Sequence, residues 1–337
     1  MRRLKLAVFF IGRVCGLFAL ARVLTQDGLR ILCYHGVSKG TTHLWRPMLF
    51  MQPRTFAKRL DRLIKCGYPV LSLDDAIRGL ADGTLPPNAT AITIDDGFQL
   101  TEEDFVPLLV ERDLPATIYV TSYYALKNEP IFELVIQYIL WLSEKTGQDV
   151  TSKFRSLLGQ TQEKSRDDLL HDFASRSLPE KKIICETLAA RIQNPLQEVW
   201  KHGEFSLMTR DQIRAASRTK GISIQLHTRR HRFPQDKQEA ADEISDNRSD
   251  LADLVTEPLL HFCYPSGLYS PEQFRVLEEQ QICSATTTDN GLNFGDANHF
   301  ALLRYLDSEA QSMLEFEAEL SGFAHLLRRA VGRGGQP

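Results

Sequence analysis

The sequence predicts an α/β fold, a parallel sheet covered by helices and closing toward a barrel, with one helical insertion. Three observations carry that reading. Strand-like and helix-like segments alternate regularly from Pro53, and such alternation builds a parallel sheet buried on both faces, with enough units here for a barrel. The alternation stops near residue 122 and resumes at Met208, with no convincing strand between. Two strand-like runs, 91–94 and 221–226, end abruptly in carboxylates or histidines, as buried strands do where charge is put to use. A length of 337 residues suits a single barrel with an insertion or two smaller domains, and 43% hydrophobic residues supply ample core. A net charge of -3 without a dominant basic stripe argues against nucleic acid as a partner.

In chain order, Arg2, Arg3 and Lys5 precede an apolar run, Leu6–Ile11, then Arg13, then a second run from Val14 to Ala21. The basic start, short apolar core and Ala19-Leu20-Ala21 resemble a signal peptide, the route to export. Arg13 interrupts the run, and on a helical wheel Arg2, Lys5 and Arg13 share one side. The preferred expectation is a basic amphipathic helix on a membrane surface, its cations at anionic headgroups and Phe9, Phe10 and Phe18 in the acyl boundary. The other is a terminal helix packed on the barrel. The six cysteines are scattered without a C-x-x-C pair, which fits a reducing compartment and hence the cytoplasmic face of the inner membrane.

A first strand is expected at Arg30–Val37, and the apolar loop Leu44–Phe50 at the same strand end either walls a site or covers the core. Thr55–Lys65 has helical spacing, with Phe56, Leu60, Leu63 and Ile64 on one face. A strand at Tyr68–Leu73, a helix at Asp74–Leu80, the strand ending at Ile94, a helix over Glu102–Arg112 and a strand at Ala116–Val120 follow. Within the insertion, Ile131–Leu142 is apolar nearly all round, which reads as buried, and Leu178–Gln193 is a more charged helix. Beyond it come a capping box at Thr209–Gln212, a long polar helix over Asp236–Val255, strands at Leu259–Tyr264 and Ser284–Thr288 flanking a helix at Pro271–Glu279, and a final helix over Glu309–Arg329. The expected organisation is 1–24 as an N-terminal helix, 25–121 with 205–330 as the barrel, 122–204 as the insertion and 331–337 as a disordered tail.

The chemistry gathers at the strand ends. Asp95 and Asp96 follow Ile94 directly, and adjacent carboxylates raise one pKa unless a cation sits between them. A metal resolves this, one carboxylate serving as ligand and its neighbour as base; a capped Asp-Gly turn is the plain alternative. His227 and His231 end the second run four residues apart, and in a helical turn they share one face. With Asp96 they make a two-His, one-carboxylate set that leaves positions open for water and substrate.

These stretches resemble the polysaccharide deacetylases of carbohydrate esterase family 4. The first family motif stands as Thr93-Ile94-Asp95-Asp96-Gly97 and the second as His227-Thr228-Arg229-Arg230-His231. A third, Phe262-Cys263-Tyr264-Pro265-Ser266-Gly267, resembles the branch of poly-N-acetylglucosamine deacetylases. The resemblance implies a distorted (β/α)7-type barrel and removal of N-acetyl groups from a bacterial surface glycan or its lipid-linked precursor. It implies a divalent cation, Zn²⁺ foremost, on Asp96, His227 and His231, with Asp95 as general base. The Tyr264 backbone N–H would face the oxyanion, and His35, at the end of the first strand, would be the general acid. The arginine that steadies the base in the family is missing from the third motif, and Arg304, in a stretch resembling the closing motif, is its expected replacement. Gln225 and Leu226 stand where the family has small residues, and Arg229 and Arg230 make the second motif unusually basic. The apolar helix of the insertion is core, or a platform for a lipid-linked substrate. The competing readings are a catalytically inactive carbohydrate-binding barrel and a glycosidase, and adjacent Asp95 and Asp96 cannot straddle a sugar as a glycosidase requires. Oligomeric state is not legible in the sequence.

Overall fold

A computed structural model describes residues 2–192 and 202–332. At its centre lies a parallel sheet of β1 (Arg30–Tyr34), β4 (Val70–Leu71), β5 (Thr90–Ile94), β6 (Ala116–Val120), β7 (Ile222–Leu226), β8 (His261–Cys263), β9 (Ser284–Thr286) and β10 (Tyr305–Leu306). The short strands β2 (Gly36–Val37) and β3 (Phe50–Met51) pair separately. The order is β10-β1-β5-β6-β7-β8-β9, with β4 forked onto the start of β5. Leu302 bridges Thr286 of β9, while Tyr305 pairs with Leu32 of β1, so the segment 302–306 touches both edges of the sheet. The sheet therefore curls into the distorted (β/α)7-type barrel.

Alternation along the strands sorts side chains between two cores. Leu32 and Tyr34 of β1, Ile92 and Ile94 of β5, and Ile118 and Val120 of β6 join the large cluster beneath the helices. Their neighbours Ile31, Ala91 and Tyr119 join a smaller cluster with Cys263 and Leu302. Period-two side chains buried on both faces are what a helix-covered parallel sheet requires.

Several elements depart from expectation for identifiable reasons. The helix expected over Glu102–Arg112 is a π-turn, Thr101–Phe105, followed by Val106–Val110; Pro107 has no N–H to continue the α ladder. In the helix Pro53–Lys65, Ile64 is exposed, and the buried face takes Arg59, whose Nε donates to Asp307 at 2.8 Å. The C-terminal helix breaks into Met313–Leu320 and Phe323–Ala330 at Gly322, whose φ of 77° suits glycine and where a Cβ would lie 2.2 Å from Thr25 Oγ1. The expected helix Leu178–Gln193 ends at Ala189, and Gln193 lies outside the described residues, as does the tail from 333 onward.

The N-terminus forms two helices, Arg2–Val14 and Leu17–Leu24, bent by 84°. Its basic side faces the protein: Arg2 and Lys5 reach Glu315, and Arg13 reaches Glu317. Phe9 is buried, and Phe9 and Phe18 both pack on Phe323. The expected placement of these cations at headgroups and of Phe9 and Phe18 in acyl chains is thus overturned. Burying Phe9 contributes about 2 kcal/mol, more than any one of the half-exposed ion pairs.

The described part of 122–204 contains only helices, Phe132–Thr146 being the central one. Phe132, Val135, Ile136 and Ile139 of that helix are fully buried and continuous with the large core.

Candidate active site

Because all strands of the main sheet run parallel, their carboxyl ends meet on one side of the barrel. His35 follows β1, Asp95 and Asp96 follow β5, His227 follows β7 and Tyr264 follows β8. These residues line one cavity of about 460 Å³, which the insertion walls with Ile131, Glu133 and Leu134. The turn after β5 is left-handed at both Asp96 and Gly97, with φ of 69° and 75°. At Gly97 a Cβ would also press to 3.1 Å from Val120, so glycine lets Asp96 turn into the cavity without displacing β6.

Asp95 and Arg304 form a buried bidentate pair. Arg304 Nη1 and Nη2 donate to Asp95 Oδ1 and Oδ2, each at 2.7 Å. Arg304 also donates to Thr287 O and Thr93 Oγ1, so its charge is saturated by acceptors. The thiols of Cys33 and Cys263 approach Asp95 Oδ2 at 3.5 and 3.4 Å, and His35 Nε2 stands 3.7 Å from the same oxygen. Burial opposes ionisation of Asp95, but Arg304 holds its carboxyl well below the usual range. Burial lowers the His35 pKa despite Asp95 and Asp96 nearby.

Asp96 has different company. His227 Nε2 and His231 Nε2 each lie 3.2 Å from Asp96 Oδ1. Burial resists its charge, but hydrogen bonds from both imidazoles keep its pKa well below the ordinary value. Neither aspartate is raised, contrary to the expected repulsion, because each has its own cationic or donor partner. His227 Nδ1 is 2.8 Å from the Cys263 carbonyl, which only accepts, so Nδ1 carries a proton and Nε2 is turned to Asp96. This donor set, two Nε2 atoms and a carboxylate oxygen clustered at the cavity, fits a divalent cation. Burial disfavours a charged His227, but Cys263 and Asp96 hold its pKa well above the ordinary value, so protons compete with a cation for this ligand.

Two expectations need correction. His227 and His231 are not in a helical turn: Thr228 and His231 have φ of 62° and 54°, conformations no α-helix contains. They converge through a loop instead. The Tyr264 N–H donates to Thr286 O at 3.1 Å in the β8–β9 ladder, so it is already engaged and does not face an oxyanion; Tyr264 lines the cavity with other atoms, and its hydroxyl donates to Phe300 O.

The loop owes its shape to residues that sequence reasoning missed. Asn247, fully buried, accepts from His227 N at 3.0 Å and donates to Val120 O at 3.1 Å, clamping the ends of β6 and β7. Glu243 accepts from Arg230 N and from the Arg230 and Arg232 guanidiniums. Both project from the helix Lys237–Leu251, beside Ala240, Ile244 and Leu251 on its buried side. Polar side chains among the apolar positions of an amphipathic helix were the available signal. Gln225, where the family has a small residue, ties β7 to β8: its Oε1 accepts from Leu260 N and His261 N.

No family model matches the chain, and no curated protein matches it. Solved structures do. The Streptococcus pyogenes deacetylase PplD superposes with a TM-score of 0.59 at 16% identity, covering 87% of this chain and 98% of that one. IcaB from Ammonifex degensii gives 0.58 at 19% identity, over 88% and 97% of the two chains. A de-N-acetylase from Aggregatibacter actinomycetemcomitans gives 0.57 at 14% identity, over 87% and 100%. The chain has the fold of these deacetylases over nearly their whole length.

Proposed function

We propose that the protein is a metal-dependent N-deacetylase that hydrolyses N-acetyl groups on a surface polysaccharide or its lipid-linked precursor. The observation that carries this reading is the convergence of Asp96, His227 and His231 beside a separate carboxylate, Asp95, at one cavity of a deacetylase fold. Asp96, His227 and His231 would hold a divalent cation, Zn²⁺ foremost, which when bound supplies Lewis-acid polarisation of the acyl oxygen and of water. Asp95, ionised and fixed by Arg304, takes a proton from the attacking water as the new C–O bond forms. His35 gives a proton to the amide nitrogen as the C–N bond breaks, leaving acetate and a free sugar amine. Burial lowers the His35 pKa, so His35 takes that proton from Asp95, whose Oδ2 lies 3.7 Å from its Nε2, which returns Asp95 to its ionised form.

The helical segment 122–204 acts in this reading as an insertion that shapes the glycan site. Residues 1–24 rest on the cytoplasmic face of a membrane, now through their outer side: Leu4, Phe10, Ile11, Val14, Leu20 and Leu24 are all exposed. Among the described residues no single helix is long and apolar enough to cross a membrane. The test is acetate release from a panel of N-acetylated oligosaccharides, with metal analysis of the same preparation. Metal-dependent release supports the reading; sugar binding without release favours the inactive carbohydrate-binding barrel.

A further inference from the structure

The cavity is lined by several charged groups, and all but one are matched. Asp95 has Arg304, and Asp96 has His227 and His231. Glu133 has Lys181 at 2.6 Å, and Arg230 has Glu243 at 3.0 Å. Arg229, the other basic residue of the second motif, is tied to Asp246 and Asp250. Arg46 alone among the cavity's charged groups makes no ion pair within the described residues.

Arg46 is nevertheless held in place. Its Nη2 donates to Gln137 Oε1, and its guanidinium lies 4.8 Å from the Trp45 ring centroid. Gln137 is itself anchored, its Nε2 donating to Glu133 O at 2.8 Å, and Trp45 is wedged among Phe50, Tyr138 and Phe205. The barrel loop thus supplies the arginine and the insertion helix orients it. Burial lowers its pKa, but a guanidinium stays charged, and among the described residues only its Nη2 has a hydrogen-bond partner. An oriented, half-buried guanidinium with spare donors and no ion pair among the described residues suits bidentate capture of an oxyanion.

We infer that Arg46 receives an anionic group, a carboxylate or a phosphate, that the substrate carries close to its N-acetyl sugar. The inference rests on the deacetylase reading for its substrate but not for its test. Three probes are compared by calorimetric binding and by acetate release: an N-acetylated oligosaccharide containing a hexuronic acid, its carboxyl methyl ester, and an N-acetylhexosamine 1-phosphate. The wild type should bind an anionic probe more tightly than the neutral ester, and Arg46→Gln should reduce that preference about ten- to a hundredfold. Arg46→Lys should restore part of it. Preference for the uronate identifies a carboxylate, and preference for the 1-phosphate a phosphate. Equal binding of charged and neutral probes by the wild type, or an unchanged preference in Arg46→Gln, overturns the proposal. Release of acetate without charge preference contradicts the role of Arg46 alone. Charge preference in binding without acetate release from any probe contradicts the deacetylase reading and still supports the anion site.

Discussion

Asp95 lies with its side chain 3% exposed and both oxygens gripped by one guanidinium, whereas Asp96, the next residue, turns through a left-handed φ toward two imidazoles and is 13% exposed. The partners differ in kind. Arg304 is saturated by acceptors inside the barrel, and its bidentate grip occupies both Asp95 oxygens. The Asp96 corner gathers three potential ligand atoms, one of them on His231, which is 40% exposed and open to the cavity. In the proposed function these neighbours give the adjacent carboxylates opposite duties, Asp95 as a fixed base and Asp96 as a ligand.

Most drastic should be His231→Ala, which removes an imidazole from the open corner: stoichiometric divalent metal and detectable acetate release should both disappear in metal analysis and assay. Asp95→Asn, on the closed corner, should lower turnover by about 10²–10⁴-fold, the range for a positioned base. Circular dichroism of that variant should show an intact fold.

Arg304→Lys sharpens the contrast through pH. The native Asp95 pKa is depressed, so its pairing contributes stability above the unfolded carboxyl value and loses it only as pH falls through the depressed one. A lysine cannot reproduce the bidentate grip, so burial regains weight and the pKa rises. Stability should then fall more at neutral pH than at pH 4, as denaturant unfolding of both proteins at the two pH values would show. An equal loss at both pH values would mean Arg304 does not set the state of the base. The smallest chemical effect should follow removal of residues 1–24: release from soluble oligosaccharides should persist while sedimentation with membranes is lost. Recovery of a mature chain beginning at Arg22 outside the cytoplasm would restore the signal-peptide reading.

The fold and much of the site were legible because strand ends are local. Ile94 followed by two aspartates, and Leu226 by a histidine, announce buried strands that terminate at a polar surface. Arg304 was placed as the partner of Asp95 from its position in a resembling motif, and the structure brings the two together at 2.7 Å. What escaped depends on contacts distant in sequence. The wheel found the basic side of residues 1–24 but could not show that Glu315 and Glu317 would meet it. Motif spacing could not reveal that the Tyr264 N–H is consumed by Thr286, because ladder register is not written in either strand alone. Asn247 and Glu243 looked like ordinary polar positions until the loop they hold was seen.

Metal content of Asp95→Asn and Asp96→Asn, purified side by side and measured by mass spectrometry, tests the division of labour most directly. The expected result is a stoichiometric divalent metal in Asp95→Asn and none in Asp96→Asn. Metal lost from Asp95→Asn and retained by Asp96→Asn would reverse the two roles and contradict the account.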